Sequence, residues 1–430
     1  MTFNLKTTTI IIFLVLYSFS GLIPNLGALD RIAPQWFFLS LINSFGLLYL
    51  YSDYNNYKQL FGRIIKSPPF LFLSAFILWG LLSYIYALNQ TEVLVKFFRW
   101  TNILVGLFIT SSFLAQLKEN FTIISIIFTI VLIIELYYSY STYFQIISLT
   151  EYNFTFANII KGAAANKNIT AASILIKIPF VAYLISRNKN ILLRVLLSFL
   201  IGLVTYLVFL LSARASIIAL FLITITIIIF KVVQYFHNRD LILLKDSLLY
   251  LITPIILSAV FFQAQIDSDN SASLLKRAQT VSTEDTSTQQ RLRYYGHSLT
   301  QLKNNPIIGV GMGNWKINSI EYDKKDIEGY IIPYHTHNDF LEFGAELGIF
   351  GIISYLGLFF YLFYFAIKKN IKEYKKDKFF PESLLLLLGG IIYFIDANLN
   401  FPHARVMMQI PFIIYIALYF QIFIRPASDE

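Results

Sequence analysis

Twelve apolar runs dictate what this chain can become. They fall near 8–24, 35–51, 69–88, 98–115, 121–142, 169–186, 191–212, 215–233, 246–264, 341–367, 382–399 and 404–424. Most approach the roughly 20 residues that carry a helix across a hydrocarbon core. Backbone polar groups in lipid are satisfied only within helices or closed barrels, so the expectation is an all-α membrane protein of about twelve spans. Charged residues make up 14% of the chain, against about 25% in a soluble domain, so lipid is its main solvent. The first run follows Lys6, lacks a small-residue cleavage site and is followed at once by others. It reads as a retained span, not a removable signal peptide. The chain has no cysteine, which excludes disulfide and thiol chemistry.

Lysine and arginine in the loops set the orientation. With the N-terminus inside, 18 of the 34 basic residues lie in inner segments, 8 in short outer segments and 8 in one long loop. Both termini are therefore expected in the cytoplasm and the long loop outside. The net charge of +9 is largely this bias, and nothing in it points to nucleic acid. Residues 1–264 then hold spans one to nine, 265–340 the long outer loop, and 341–430 spans ten to twelve.

The hydrophilic stretch from Gln265 to Pro333 is too short for an ample core of its own and should lie on the bundle. Asp267-Ser268-Asp269-Asn270-Ser271 is turn-like, and Ser287 to Lys303 reads as an amphipathic helix ended by Asn304-Asn305-Pro306. Gly309-Val310-Gly311-Met312-Gly313-Asn314 follows. Its G-x-G-x-G spacing, without a strand–helix unit, does not fit a nucleotide loop, so a flexible turn shaping the loop is expected. Lys368 to Lys378 reads as a basic inner loop near anionic head groups. No internal repeat of the transporter kind is visible.

His337 is the first candidate for chemistry. Asp339 followed by Glu342 suits a helix start, which places His337 just before the first turn of span ten. The positive end of a helix disfavours imidazolium, and a neutral imidazole can act as a general base on a hydroxyl. An interfacial histidine satisfied by backbone is the plainer alternative. A metal pair with His335 lacks a third local ligand. Arg214, among small residues between two spans, suits a phosphate or a snorkelling arginine. Arg291 and Arg293 lie with Tyr294 and Tyr295 on the loop helix, where an exposed basic face is the usual meaning. The segment from Lys161 to Asn168, with Lys167, could bind head groups or sugars, or be a linker. Lys177 and Glu135 lie within spans and need polar partners. Asp396, Asn398, Asn400, His403 and Arg405 flank the last outer turn, as a cavity rim or as solvated loop.

Together these residues resemble the O-antigen ligase and O-antigen polymerase superfamily of bacterial polytopic glycosyltransferases. Asn166-Lys167-Asn168 is similar to its N-x-N stretch before a span, and Ser212-Ala213-Arg214-Ala215 to its S-x-R-x motif. Arg291-Leu292-Arg293-Tyr294-Tyr295, then Pro306 to Gly311, resembles its R-L-x-x-W to P-x-x-G-x-G segment. His337-Asn338 through Glu346-Leu347-Gly348 and Gly351 resembles its H-N-x-x-L-x-x-x-x-E-x-G-x-x-G motif. The chain departs from the pattern at Tyr294 and Tyr295, where Trp is common, and at Ala215, where Gly is usual. Neither departure removes a charge.

The resemblance implies a GT-C-type bundle in the inner membrane with its site facing the periplasm. The implied donor is a glycan on undecaprenyl diphosphate and the acceptor a hydroxyl of lipid A-core, with no cofactor and no metal. His337 would take the acceptor's proton or orient its hydroxyl for attack, inverting the anomeric centre, while Arg214 and Arg291 meet the leaving diphosphate. Arg293, Lys167, Asn168, Asn338, Glu346 and Arg405 complete the expected substrate-binding set, Asn338 and Glu346 as supports. The ligase branch is favoured over an O-antigen polymerase. A protein O-oligosaccharyltransferase often carries an added C-terminal domain, which the stop soon after span twelve disfavours. A lipid or polysaccharide transporter is the non-enzymatic alternative.

Overall fold

The computed structural model describes residues 5–162, 166–265, 286–326, 333–376 and 378–423, and no strand occurs among them. The expected turn at Asp267–Ser271 and part of the Lys161–Asn168 segment lie outside the described residues. In chain order the helices are α1 (Leu5–Phe19), α2 (Ala33–Ser52), α3 (Tyr54–Ile65), α4 (Pro68–Leu82), α5 (Gln90–Leu114) and α6 (Asn120–Ile147). Next come α7 (Lys167–Leu175), α8 (Ile178–Arg187), α9 (Ile191–Leu210), α10 (Arg214–Asn238), α11 (Leu241–Ser247) and α12 (Thr253–Gln265). The loop helices are α13 (Thr286–Asn304) and α14 (Trp315–Asp323), followed by α15 (Asp339–Glu373), α16 (Glu382–Leu399) and α17 (Val406–Phe423).

Ten helices among the described residues are long and apolar enough to cross a bilayer. Two of the ten are composite: α7 with α8 spans Lys167–Arg187, and α11 with α12 spans Leu241–Gln265. The shorter apolar stretch Val406–Ile422 and the 20-residue α2 account for the other two runs. The protein is a polytopic all-helical membrane protein. The intramembrane charges find each other: Lys177 Nζ lies 2.9 Å from Glu135 Oε2 and donates to the Ser173 carbonyl at 2.7 Å. This pair pins α6 to the joint between α7 and α8. The basic stretch after span ten differs from its expected form, because α15 continues to Glu373 and carries Lys368, Lys369 and Lys372 on a helix.

The feature that positions the site is a break in α15. Gly348 has φ 65° and ψ −159°, so the helix stops and restarts there. A break frees carbonyls, and those of the buried Ala345, Glu346 and Leu347 need donors. The donors come from elsewhere in the chain. Val310 N–H donates to the Ala345 carbonyl at 3.0 Å, Gly311 N–H to Glu346 at 2.8 Å, and Trp79 Nε1–H to Leu347 at 3.0 Å. In return Ile349 N–H donates to the Pro306 carbonyl at 2.8 Å. The glycine-rich turn is therefore docked, not merely flexible: it supplies the hydrogen bonds that the break requires. Its close approach also explains its glycines. A Cβ at Gly309, itself at φ 65°, would lie 2.4 Å from the Glu346 carbonyl oxygen, and one at Gly348 2.3 Å from that of Ile307.

Gly348→Ala should therefore cost at least ~3 kcal/mol, from a glycine-only backbone conformation combined with a backbone clash. Gly62→Ala on α3, where a Cβ would meet nothing within 4 Å, should be neutral or stabilising by up to about 1 kcal/mol. Thermal unfolding of both variants in detergent checks this, and wild-type melting of Gly348→Ala would remove the docked turn from any structural role.

Candidate functional site

The half-helix before the break carries the site's acids. Its N-cap is Asn338, whose side chain accepts from Leu341 N–H at 3.0 Å. The cap thus falls one residue before the Asp339 that the sequence pattern suggested. Asp339 is free to turn inward, and with Glu342 and Glu346 it forms one stripe at i, i+3 and i+7. All three are buried. Glu346 braces the loop, accepting from Trp315 N–H at 3.3 Å.

Asp339 and Glu342 meet cations from two distant segments. His403, on the turn between α16 and α17, places Nδ1 2.7 Å from Asp339 Oδ1 and Nε2 3.3 Å from Glu342 Oε1. Lys96 of α5 brings Nζ to 3.1 Å from His403 Nε2 and 4.0 Å from Glu342 Oε1. Burial works against a charged His403, and Lys96 adds to that, but Asp339 and Glu342 outweigh both and push its pKa up to about 9. Two carboxylates thus face one imidazolium and one ammonium. His335 completes the group, donating from Nδ1 to Glu342 Oε1 at 3.0 Å and stacking on the Phe401 ring at 4.4 Å. Burial first, then Lys96 and His403, push its pKa down to about 4 against the pull of Glu342.

His337 sits beside this network in a strained backbone, with φ 62° in the left-handed region. Its carbonyl accepts from Tyr295 Oη at 3.1 Å, and its ring lies edge-on to Phe401 at 5.0 Å. Nδ1 is buried with no hydrogen-bond partner among the described residues. Burial, then the Arg291 charge and the neighbouring His335, push its pKa down to about 4, only partly opposed by Glu342. The imidazole is neutral at physiological pH.

One face of α13 leads to the two arginines. Thr288, Arg291, Tyr295 and Ser298 recur at helical spacing. Arg214, the first residue of α10, donates from a terminal guanidinium nitrogen to Thr288 Oγ1 at 3.3 Å. Arg291 lies one turn further, near enough to His337 and Tyr295 to act on both. Ser298 Oγ meets Thr336 Oγ1 at 3.0 Å. The structure thus brings His337, Arg214 and Arg291 to one end of the bundle. Arg293 points elsewhere: its Nε lies 2.7 Å from Asp323 Oδ1 on α14. Lys167 and Asn168 form the first turn of α7, which Asn166 caps by accepting from Asn168 N–H at 2.9 Å, and α7 packs along α10.

His335, Glu342 and His403 offer ligand atoms within 4.8 Å of one another, and Asp339 backs His403 as a carboxylate often backs a metal-bound histidine. Of the pair offered by the sequence only His335 belongs to this group: Glu342 replaces His337, and His403 comes from the far side of two spans. A resident metal nevertheless fits poorly. The Lys96 ammonium already stands at that corner, and an ion would have to displace it and deprotonate His403.

A membrane-embedded helical protein with a histidine–arginine site at one end is the class defined so far. Residues 196–356, from within α9 to just past the break in α15, match the family model described as O-antigen ligase. That segment belongs to the O-antigen ligase superfamily. It contains Arg214, Arg291, Arg293, His335, His337, Glu342 and Glu346, while Lys96, His403 and Arg405 lie outside it. No curated protein matches the chain.

The three histidines give stability opposite slopes with pH. The folded pKa of His403 lies above the ordinary 6.5, so its contribution is full below about 6.5 and lost as pH rises through about 9. His335 and His337 have folded pKa values below 6.5, so the fold loses stability as pH falls from about 6.5 towards 4. The melting temperature in detergent should peak near neutrality, and His403→Gln should remove the alkaline fall while keeping the acid one. An unchanged alkaline slope in His403→Gln would reject the imidazolium at this position.

Proposed function

We propose that this protein is an O-antigen ligase. It transfers a glycan from undecaprenyl diphosphate to a hydroxyl of lipid A-core, with inversion and without a metal, on the periplasmic face of the bacterial inner membrane. One observation carries the reading: a neutral, strained histidine stands beside Arg291, on whose helix Arg214 is also held. The excess of lysine and arginine in the alternate loops supports the orientation, and the family match supports the ligase class.

In this mechanism the acceptor oxygen attacks the anomeric carbon from the face opposite the diphosphate. A new glycosidic C–O bond forms as the C–O bond to the diphosphate breaks. The hydroxyl proton passes to the neutral His337 imidazole, and the bonding pair leaves with the diphosphate. Negative charge grows on that group in the transition state, and Arg214 and Arg291 neutralise it without reorganising. Tyr295 holds the His337 carbonyl, and so the ring, in place. Asn338 and Glu346 keep the half-helix and the loop in register, while Lys167, Asn168 and Arg405 complete the polar surface that the substrates meet, and Arg293 braces α13 against α14 through Asp323.

His337→Ala should lower kcat by about 10²–10⁴-fold, the usual worth of a general base, while expression and insertion persist. Arg214→Gln and Arg291→Gln should each cost about 10²–10³-fold, mainly in kcat. Wild-type turnover in His337→Ala would remove the base from the mechanism. A chelator should leave transfer intact, and loss restored by a divalent cation would sink the metal-free account. The acid limb of kcat/KM should fall near pH 4, where His337 gains its proton, not near the ordinary 6.5.

In cells lacking the protein, core-only lipopolysaccharide with long glycan accumulating on undecaprenyl establishes the ligase. Core carrying a single repeat establishes a polymerase instead. Unchanged lipopolysaccharide redirects the acceptor to protein or another surface glycan.

A further inference from the structure

Arg405 stands just before the final span, with part of its guanidinium unmet among the described residues. Its Nε is buried and has no hydrogen-bond partner among the described residues. Its charged neighbours are Asp30 and Arg99, and Asp30 is already committed, 2.7 Å from the Arg99 guanidinium. The one carboxylate near Arg405 at the loop end of the bundle is therefore already paired with Arg99. The place is reachable, since the Asp30 side chain is 49% exposed and that of Arg99 22%. An arginine short of an anion at a membrane boundary is costly, and the guanidinium fork matches the oxygens of a phosphoryl group.

Position gives this pair its meaning. The Arg405 guanidinium lies 5.4 Å from the centre of the Phe401 ring, and the same ring contacts His337 at 5.0 Å and His335 at 4.4 Å. Arg405 is thus one aromatic ring away from the proposed base. Arg214 and Arg291 approach His337 from α10 and α13, whereas Arg99 and Arg405 belong to α5 and to the entry of α17. Both also lie outside residues 196–356, the segment that the family model matches.

We propose that Arg405 and Arg99 form a second anion subsite that binds a phosphoryl group beside the acceptor hydroxyl. Assigning that group to the acceptor rests on the ligase reading; the anion site itself does not. A bilayer head group offers the same chemistry, and the test separates the two sources.

The test uses the full chain in phosphatidylcholine nanodiscs and a lipid-anchored disaccharide bearing one phosphate monoester, compared with the same compound after phosphatase treatment. Affinities are read by microscale thermophoresis. The phosphorylated probe should bind on the order of tenfold tighter, the worth of a charged hydrogen bond. Arg405→Gln should erase the difference. Asp30→Asn should widen it, because that change removes the carboxylate competing for both guanidiniums while keeping an oxygen for Ile32 N–H, which Asp30 accepts at 3.1 Å. A gain in one variant and a loss in the other cannot come from misfolding.

Equal affinity for both probes, or a preference that survives Arg405→Gln, overturns the subsite. In phosphatidylglycerol nanodiscs a retained preference assigns the phosphoryl group to the acceptor. Its loss overturns that assignment and gives the subsite to a lipid head group. Binding requires no glycan transfer, so the subsite can stand if the ligase reading fails, and the ligase chemistry at His337 can stand if the subsite fails.

Discussion

A buried carbonyl must have a donor, and the break at Gly348 leaves three of them to be matched. Everything at the loop end of the molecule follows from how they are met. Two donors come from the glycine-rich turn and one from Trp79, so the hydrophilic loop is a structural part of the bundle and not an appendage. Docking that turn fixes α13 and α14 over the half-helix that starts at Asp339. The half-helix ends early and carries three acids inward. A straight, unbroken α15 would need no donors from the loop, and the loop would then lose its anchor.

The inward acids create a second demand, which the protein meets with charge. Buried carboxylates are costly unless paired and hydrogen-bonded. Lys96 and His403 provide the pairing, and Thr336 N–H gives Glu342 a further hydrogen bond at 3.0 Å. With two acids set against two cations, His335 and His337 have no charge left to balance, and burial keeps them neutral. Neutral His337 is thus a property of the whole cluster, coming from the same interactions that hold the half-helix in place. The strained backbone at His337 sits in this tightly held surround, where a costly conformation can persist.

Much of the fold was legible because a lipid-facing helix writes itself as one long apolar run. The twelve runs needed no tertiary information, and Asp339 with Glu342 announced a helix start within one residue of its place. The cap identity was off by one residue, since both Asn and Asp suit that position and only the pull of His403 on Asp339 separates them. The docked role of Gly309 to Gly313 was not legible, because its partners lie some 35 residues away on another helix. Lys96 entered the reading only as a topology charge, and His403 only as part of a rim. Their shared contact with Glu342 joins α5, α15 and the α16–α17 turn, and no spacing along the chain encodes it. For Arg293 the tertiary partner Asp323 redirects a side chain that its motif alone placed toward substrate.

The site also divides along a line in the sequence. Residues 196–356 hold His337, the proposed base, and Arg214 and Arg291, the arginines proposed to meet the leaving diphosphate. The balancing cations come from α5 and from the turn before α17. A chemistry shared across a family needs its reactive groups fixed relative to one another, which one continuous segment around a broken helix achieves. Under the proposed mechanism, recognition of a particular acceptor has no such constraint and can be altered from flanking spans without moving His337. Lys96 and His403 link the two parts, since they neutralise Asp339 and Glu342 from outside the segment that carries those acids. An ammonium and an imidazolium thus fill, through fixed side chains, the charge role that a metal ion fills in many other buried carboxylate clusters.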